Sequence, residues 1–590
     1  MNRLQTVANG DLRVHFDKHG QVKSLFLPSS RPFSFSGDNG HKIGVCVDGR
    51  TSWVEESDWT IRVRHAYNAP ISSKVIVNKS LGILLELEDI VATGSNVFIR
   101  NIHVVNLSDQ QRIINLFLHQ SFKINSPNAP DTAKFIPQDR AVLHYGSGRS
   151  FVISGATDVG HRPDQHSIGL FGDGLDGTWR DADDGELSGE NVAVGQTDST
   201  LRFSLTIGAL SSRRVYYWLA SGQHTSEAVK LQRSVTLSFL AEEMENTVKW
   251  WRKWLSPTFQ TSERLQPKYR QALSRSLSVL RLDQDQSGIV LQDQSVAISS
   301  IHDTAYAMWP LIRLGYEEEP RRFFEFCRAC IDEQGIIMST YDASSFEGPD
   351  PFPISIDNPP AKLSVASIVL FVFSQFYAKH RQTNLLDENY TSLVVPLATY
   401  LLNSIDSNNL PLATYDRPGE DVDVQTYEVS VVYAALSASA DMAELMSDQN
   451  SAVAWRNAAE EIRTAAEALL VDGGIIKDSL RRSRPSATAF FGSFMFGLFD
   501  IDSDTVRATS AYLEQNRKRS DGLFSYSDES NDIDYVSSLR MAQYYLEVGR
   551  KDEAHRIVRS VIDQSDETEL LSTVEHAELS STLLDTINRA

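Results

Sequence analysis

The first part of the chain alternates between apolar and polar positions in short runs. Each run is rich in β-branched and aromatic residues, and turn signals such as Asn9-Gly10 and Asp48-Gly49 separate one run from the next. Alternation with a period of two predicts β-strands, and many short strands without helical spacers predict an antiparallel sandwich. The predicted strands are 12–16, 42–47, 74–77, 83–87, 97–107, 113–118, 150–153, 201–207 and 214–220.

Beyond residue 225 the apolar positions recur about every 3.6 residues, which predicts amphipathic helices. We therefore divide the chain into a β-sandwich over 1–225, a helical linker over 226–259 and a helical domain over 260–590. Paired helices fit an α-solenoid or a closed toroid of hairpins, and the absence of a fixed-period repeat favours the toroid, an (α/α)6 barrel. Its twelve predicted helices are 265–281, 303–314, 319–333, 361–380, 389–405, 426–446, 451–470, 487–498, 503–516, 535–548, 551–564 and 575–588.

Charge and composition narrow the range of partners. The 590 residues include 56 basic and 77 acidic side chains, a net charge of −21 with histidine neutral. This acidic surplus disfavours nucleic acid and anionic membranes, which recruit clusters of Lys and Arg. The sequence has no apolar run of about 18 residues and no apolar stretch of the signal-peptide type at its start. We therefore expect a cytoplasmic protein that binds neither nucleic acid nor membrane.

The sequence does not indicate a cofactor or a metal site. Cys327 and Cys330 have the spacing of half a zinc site, but no second pair lies near them in the sequence. They lie on the apolar face of a predicted helix, so we interpret them as buried thiols. Phosphate-binding glycine loops, GxSxG elbows and HExxH motifs are missing from the sequence.

Several segments, in the same order along the chain, resemble prokaryotic glycoside hydrolase family 15, which contains glucoamylases, glucodextranases and trehalases. Members of this family have the same arrangement of a β-sandwich, a helical linker and a helical toroid. The resemblance implies an intracellular two-domain glycosidase whose active site lies in the toroid. The segments that carry it include HKIGVCVDGRTSW (41–53), IRNIHVVN (99–106), IHDTAYAMWPLIRLGY (301–316), LPLATYDRPGEDVDVQTYEVSVVYAAL (410–436) and EHAEL (575–579).

The family inverts the anomeric carbon: one carboxylic acid protonates the leaving oxygen, and one carboxylate activates water. The family's acid lies in a Tyr-Asp-x-Trp-Glu-Glu loop, and here residues 415–421 read YDRPGED. Ungapped counting puts Gly419 at the acid position, whereas a one-residue shift puts the acidic pair at Glu420 and Asp421. We favour Glu420 as the acid and Asp421 as a substrate ligand. The alternative is a solvated acidic loop that faces the positive end of the next helix.

Glu428 is a weaker candidate for the acid. It occupies a position where the family usually has threonine, just inside the helix that Thr426 is predicted to cap. A glutamate in the first turn of a helix is stabilised by the helix dipole, so we prefer a structural interpretation of Glu428.

The family's base lies in a Leu-Leu-Pro-Glu-Gln loop before the last helix. Here residues 569–577 read ELLSTVEHA, which shortens that loop and leaves Thr573 at the strict base position. Glu575 or Glu569 could take over the role, and we predict Glu575. The rival interpretation is that the chain has lost its base and, with it, ordinary hydrolysis.

The family binds the terminal sugar through a Trp-x-Arg-Asp segment, and here residues 300–303 read SIHD. Asp303 is retained and can accept hydrogen bonds from two sugar hydroxyls. His302 replaces a permanently charged, planar guanidinium by a titratable ring, and we predict a ligand role for it. Tyr341 and Asp342 lie where the family lines its substrate, and Tyr341 could stack on a sugar face.

These residues lead to two functional hypotheses. The first is a glucoamylase-type hydrolase that removes a non-reducing-end α-glucosyl unit from a small oligosaccharide or from trehalose, without a cofactor. The alternative is a non-catalytic sugar-binding or regulatory protein with the same barrel, for which the regulatory subunits of phosphorylase kinase are a precedent by resemblance. The altered acid and base loops favour the alternative, and Asp303 fits both.

Overall fold

A computed structural model describes most of the chain, and it divides into two compact units, Met1–Ser256 and Pro257–Ala590. The helices and strands of each unit follow the change of periodicity in the sequence. The described residues are 6–28, 34–65, 72–125, 129–291, 298–342, 362–414, 422–568 and 571–588.

The first unit contains antiparallel sheets of three, five and nine strands. Their bounds are β1 Thr6–Ala8, β2 Arg13–Phe16, β3 Val22–Phe26, β4 Ser36–Val47, β5 Arg50–Trp53, β6 Trp59–His65, β7 Ser72–Asn78, β8 Ile83–Val91, β9 Val97–Asn106, β10 Arg112–Phe122, β11 Asp131–Ile136, β12 Ala141–Gly146, β13 Arg149–Thr157, β14 Gln165–Leu170, β15 Val192–Gly195, β16 Thr197–Ile207 and β17 Ser212–Gly222. The five-stranded sheet has the order β14-β16-β10-β4-β5, and the nine-stranded sheet has the order β15-β11-β12-β13-β17-β9-β8-β7-β6.

One hydrophobic core lies between the two large sheets. Val45 and Leu116 of the five-stranded sheet and Leu85 and Ile102 of the nine-stranded sheet belong to it and are completely buried. Successive side chains of a strand point to opposite faces, so one face of each sheet can supply this core. The predicted antiparallel sandwich is confirmed.

Two helices, α1 (Thr225–Ser234) and α2 (Leu237–Trp254), complete the first unit. Val235 and Leu240 pack with Trp218 and Ile99 in a second core on the nine-stranded sheet. The sequence pattern predicted a helical linker over 226–259. Two helices form because Val235 and Thr236 are extended between them, and the Thr236 hydroxyl accepts a hydrogen bond from the Phe239 amide to start α2.

The second unit is helical. Its helices are α3 Ser256–Thr261, which begins at the end of the first unit, α4 Pro267–Asp283, α5 Ile301–Leu314, α6 Glu318–Cys330, α7 Leu363–His380, α8 Thr383–Asn389, α9 Val395–Asn403, α10 Thr426–Leu445, α11 Gln449–Leu469, α12 Ala487–Met495, α13 Asp504–Arg517, α14 Tyr535–Glu547, α15 Lys551–Thr568 and α16 Thr573–Asn588. Short strand pairs, β18 Ile298–Ser300 with β19 Thr340–Asp342 and β20 Val471–Asp472 with β21 Ile475–Ile476, lie between helices.

Six of these helices form a closed inner ring. Along the ring α5 packs on α7, α7 on α10, α10 on α12, α12 on α14 and α14 on α16, and α16 packs back on α5. The helices α4, α6, α9, α11, α13 and α15 pack outside it, each against an inner helix. The predicted (α/α)6 toroid is therefore confirmed.

The inner position explains the composition of these helices. Leu363–His380 is the one helix among the described residues that is long and apolar enough to cross a membrane by composition. It is an inner helix with neighbours on several sides, and most of its residues are buried. A helix that is apolar on most of its surface fits this environment, whereas an outer helix needs only an apolar stripe.

Candidate functional site

The first turns of three inner helices meet at one end of the ring. His302 and Asp303 lie in the first turn of α5, Tyr427 and Glu428 in the first turn of α10, and Ser364 in the first turn of α7. His302 contacts Tyr427, and Glu428 contacts Ser364. This end of the ring therefore collects the positive ends of helix dipoles together with polar side chains, as a binding site requires.

A chain of hydrogen bonds connects Asp303 to the centre of the ring. The imidazole Nδ1 of His302 lies 3.1 Å from Oδ1 of Asp303, and its Nε2 lies 2.8 Å from the Tyr427 hydroxyl. The Tyr427 hydroxyl also lies 2.9 Å from that of Tyr306. An ionised carboxylate only accepts, so in neutral His302 the Nδ1–H donates to Asp303 and Nε2 accepts from Tyr427. Burial raises the pKa of Tyr427 well above its usual value, which keeps this hydroxyl protonated.

Asp303, His302 and Tyr427 are the partly exposed members of this chain of hydrogen bonds. The side chains of Asp303 and His302 are 21% and 27% exposed, whereas Tyr306 is buried. The helix cap fixes Asp303, because the hydroxyl of Ser300 accepts a hydrogen bond from the Asp303 amide at 3.1 Å. The structure therefore brings together the two residues of the predicted sugar clamp.

A buried ion pair lies below this chain of hydrogen bonds. Nε of Arg540 lies 2.9 Å from Oε1 of Glu578, and Gln543 donates to the other carboxylate oxygen at 2.9 Å. The guanidinium also packs 4.5 Å from the ring of Phe491 and 5.8 Å from that of Tyr306. Burial opposes the charge, but the carboxylate of Glu578 holds the pKa of Arg540 above its usual value. The ion pair thus packs against aromatic side chains of α5 and α12.

Glu428 does not face solvent. Its side chain accepts a hydrogen bond from the Ser364 amide at 2.9 Å and one from the Thr414 hydroxyl at 2.5 Å. Burial raises the pKa of this carboxyl. Glu428 therefore contacts the beginning of α7 and the residue that precedes segment 415–421.

Glu575 lies at the start of α16 and takes part in its N-terminal cap. Its carboxylate accepts a hydrogen bond from the Ser572 amide, and its own amide donates to the Ser572 hydroxyl at 3.3 Å. This reciprocal arrangement is a capping box. Thr573, at the family's strict base position, is buried.

Tyr341 is 1% exposed and packs edge-on against Phe326, with ring centroids 5.6 Å apart. Its hydroxyl accepts a hydrogen bond from the Met338 amide at 3.0 Å and donates to the Cys330 carbonyl at 3.3 Å. The backbone of Asp342 pairs with that of Ile298, three residues before α5. Cys327 is buried, and Cys330 is partly buried.

The remaining predicted site residues, Glu420, Asp421 and Glu569, lie outside the described residues. The residues on either side of 415–421 are described. Thr414 and Asp423 exchange backbone hydrogen bonds of 3.1 and 3.0 Å, and the Asp423 carboxylate accepts a hydrogen bond from the Ser479 hydroxyl. Thr414 and Asp423 thus form a fixed pair beside Glu428.

Sequence reasoning did not identify Tyr427, Arg540 or Glu578. A usable signal existed for the last two, since Arg540 and Glu578 are opposite charges at buried positions of two predicted helices. Buried charges of this kind are usually paired. Within the described part of the chain, no group of three or more His, Cys, Asp and Glu residues could hold a metal ion.

A closed ring of six helical hairpins after an antiparallel sandwich defines the fold, and solved structures with a similar fold include a bacterial glucoamylase. No family model matches the chain, and no curated protein is similar enough in sequence to match it. The comparison with solved structures therefore rests on three-dimensional likeness.

A bacterial glucoamylase solved in complex with acarbose is similar to this chain, with a TM-score of 0.76 and 14% sequence identity. The match covers 99% of this chain and 94% of the glucoamylase. A human-microbiome protein assigned as a kojibiose phosphorylase matches with a TM-score of 0.59 and 9% identity, over 98% of this chain and 87% of its own. The resemblance to family 15 seen in the sequence is thus confirmed at the level of the fold.

Proposed function

We propose that this protein binds the non-reducing end of a small α-linked gluco-oligosaccharide, or trehalose, where the inner helices begin, and hydrolyses its terminal glycosidic bond. The observation that carries the proposal is the partly exposed Asp303 carboxylate, held by His302, which Tyr427 in turn orients. A fixed carboxylate can accept hydrogen bonds from two adjacent sugar hydroxyls, which bulk water would otherwise satisfy.

In the proposed mechanism Glu420 is the general acid and Glu575 the general base. Glu420 protonates the glycosidic oxygen as the bond to the anomeric carbon breaks. Glu575 removes a proton from a water molecule that attacks the same carbon from the opposite face, so the configuration inverts. This chemistry requires the two carboxyl groups to be about 6.5–9.5 Å apart, with room for the water between them.

A non-catalytic sugar-binding protein is the second candidate, and one observation favours it. Of the carboxylates described at this end of the ring, those of Glu428, Glu575 and Glu578 are all hydrogen-bonded within the protein. A general base needs a lone pair directed at water, and the capping box occupies one oxygen of Glu575. The same end of the ring would then bind a sugar without cleaving it.

A screen of disaccharides separates these functions. Purified protein is incubated with maltose, isomaltose, trehalose and kojibiose, with and without inorganic phosphate, and proton NMR follows the anomeric signals. The proposal predicts phosphate-independent release of the non-reducing-end glucose, first as the β-anomer, so trehalose should yield α- and β-glucose in equal initial amounts. Initial release of the non-reducing-end glucose as the α-anomer contradicts the inverting assignment, and glucose 1-phosphate formed only with phosphate indicates phosphorolysis. Binding without turnover supports the second candidate.

A further inference from the structure

One edge of the Arg540 guanidinium has no partner within the described protein. Nε donates to Oε1 of Glu578 at 2.9 Å, and Nη1 donates to the Thr488 hydroxyl at 3.2 Å. Nη2 forms no hydrogen bond with any residue that the structure describes, yet it is not sealed off, and 7% of the side chain is exposed. Polar groups in the interior are normally hydrogen-bonded, so this edge is suited to an acceptor from outside the protein.

The guanidinium lies at the level of the first helical turns, although Arg540 is the sixth residue of α14. Side chains of a helix tilt towards its N-terminus, so the long side chain of Arg540 extends to the end of the ring where the helices begin. Thr488, which Nη1 contacts, is the second residue of α12 and is exposed. The guanidinium also packs against Tyr306, whose hydroxyl lies 2.9 Å from that of Tyr427. Arg540 therefore adjoins the chain of hydrogen bonds that ends at Asp303.

The charges around Arg540 favour a neutral ligand over an anion. The Glu578 carboxylate balances the cation, and its other oxygen accepts a hydrogen bond from Gln543 at 2.9 Å. Asp303 adds a second carboxylate around Tyr306, on which all three charges act. An anion at Nη2 would be repelled by these two carboxylates. A sugar hydroxyl carries no charge and can accept from a guanidinium, so it fits this edge.

We propose that Arg540, supported by Thr488, is the donor side of the saccharide site: Nη2 donates to a hydroxyl oxygen of the terminal sugar, whereas Asp303 accepts from other hydroxyls of that sugar. This inference rests on the proposed function, because it takes Asp303 as a ligand of the same sugar. Thr488 fixes the guanidinium through Nη1. The donors on α12 and α14 and the acceptor on α5 together select a ring that carries several hydroxyls.

Lysine can replace Arg540 as the countercharge of Glu578 but not as the donor to a sugar. The variant Arg540→Lys keeps the buried charge paired, yet its ammonium is a point charge without the second edge of a guanidinium. Thr488→Val keeps the shape of an exposed side chain and removes the hydroxyl that fixes Nη1. The matched controls are Arg322→Lys, which is ion-paired on the outer helix α6, and Thr464→Val, which is exposed on the outer helix α11.

Calorimetric titration with the sulfur-linked analogue of maltose, which resists hydrolysis, measures binding without turnover. Arg540→Lys should raise Kd at least about 10-fold, which is the effect of one lost hydrogen bond to a charged group. Thr488→Val should raise it at least about 3-fold, because the guanidinium loses one neutral partner. Both control variants should bind like wild type. Urea-induced unfolding of each variant verifies that it is folded.

Monodeoxy derivatives of this ligand, each without one hydroxyl of the non-reducing ring, test whether Arg540 touches the sugar. In wild type, removal of the hydroxyl that Arg540 binds should raise Kd at least about 10-fold. In Arg540→Lys the same derivative should bind about as well as the parent ligand, because the contact is already missing. If every hydroxyl contributes as much in Arg540→Lys as in wild type, Arg540 acts on the site only through the fold, and the proposal is overturned.

Two further results would overturn the proposal: a folded Arg540→Lys that binds like wild type, and wild-type protein that does not bind the ligand. If Arg540→Lys does not fold, unchanged binding by Thr488→Val overturns it instead. The disaccharide screen tests the proposed function separately. Wild-type protein that binds the sulfur-linked ligand but releases no glucose refutes hydrolysis, and the monodeoxy derivatives still decide the role of Arg540.

Discussion

The hydroxyl of Tyr427 lies 2.8 Å from Nε2 of His302, although the helices that carry them are not neighbours in the ring. This bond therefore crosses the ring between α10 and α5. It selects one tautomer of neutral His302 and so directs the opposite ring nitrogen at Asp303. The geometry of the candidate sugar clamp thus depends on a residue 125 positions away in the sequence.

We expect Tyr427→Phe to weaken both the fold and the clamp. The change removes one hydroxyl and leaves His302 Nε2 and the buried Tyr306 hydroxyl without their partner, which should lower the free energy of unfolding by about 1–3 kcal/mol. Urea-induced unfolding measures the difference. Tyr433→Phe on the same helix is the control, since it keeps the ring contact with Arg463 and should change stability by less than about 1 kcal/mol. Equal stability of the two variants would mean that the Tyr427 hydroxyl contributes nothing to the free energy of unfolding.

The ion pair of Arg540 and Glu578 gives a second stability prediction. Arg540→Met leaves the buried Glu578 carboxylate without its countercharge, so the free energy of unfolding should fall by about 3–5 kcal/mol. The double replacement by two methionines should recover much of that loss, because no charge stays buried. The exposed pair Arg322–Glu318 is the comparison, and Arg322→Met should lower stability by no more than about 0.5 kcal/mol. If Arg540→Met lowers the free energy of unfolding by less than about 1 kcal/mol, Glu578 does not depend on Arg540 as its buried countercharge.

Most of the helical unit could be predicted from the sequence, since local spacing of apolar residues decides it. The segment predicted over 426–446 is the helix Thr426–Leu445, and that over 451–470 is the helix Gln449–Leu469. Strands such as Gln165–Leu170 and Val192–Gly195 escaped notice because they are short and carry few buried apolar residues. Their pairing partners, more than their own sequence, make them strands.

The candidate site was predictable only in part. His302 and Asp303 are adjacent in the sequence, so a motif could identify them, whereas the bond between Tyr427 and His302 depends on ring closure. The capping box of Ser572 and Glu575 was visible as Ser-x-x-Glu before an apolar run, and it is a signal that the prediction of a base did not weigh. Glu575 can take part in the capping box and also act as the base only if its second carboxylate oxygen faces the substrate.

The sandwich should lose stability in acid because of its buried histidines. Burial lowers the pKa of His144 to about 3, and that of His41 well below its usual value. A histidine whose pKa is lower in the folded state takes up protons on unfolding. The contribution of such a histidine to the free energy of unfolding is therefore fully present above the unfolded pKa of about 6.5. It is lost as the pH falls towards the folded pKa, by about 1.4 kcal/mol per pH unit for one histidine.

His144→Gln isolates this effect. Between about pH 4 and pH 6 the free energy of unfolding should depend on pH less steeply in the variant than in wild type, by about 1.4 kcal/mol per pH unit. Urea titrations at several pH values give the two slopes. His224→Gln changes an exposed histidine and serves as the control. Identical slopes in wild type and His144→Gln would show that His144 does not titrate with unfolding.

Replacement of the two proposed catalytic carboxylates by glutamine tests the mechanism. Glutamine keeps the size but cannot transfer the proton, so Glu420→Gln and Glu575→Gln should each lower kcat at least about 10²-fold. Glutamine also suits the third helical position of a capping box, so Glu575→Gln should retain the stability of wild type. A loss of activity without a loss of stability would identify Glu575 as the base. Full activity of Glu575→Gln would exclude it and leave Glu569 as the remaining candidate.

The most direct measurement of the central claim is calorimetric titration of wild type and Asp303→Ala with acarbose, the ligand of the structurally similar glucoamylase. If Asp303 is the carboxylate that binds the terminal sugar, the variant should lose about 1.5–3 kcal/mol of binding free energy, which is a roughly 10- to 150-fold higher Kd. Asp502→Ala, in an exposed turn between the end of α12 and the beginning of α13, should bind like wild type. Equal affinity of wild type and Asp303→Ala, or no binding of acarbose, maltose or trehalose by wild type, would contradict a sugar site where the inner helices begin.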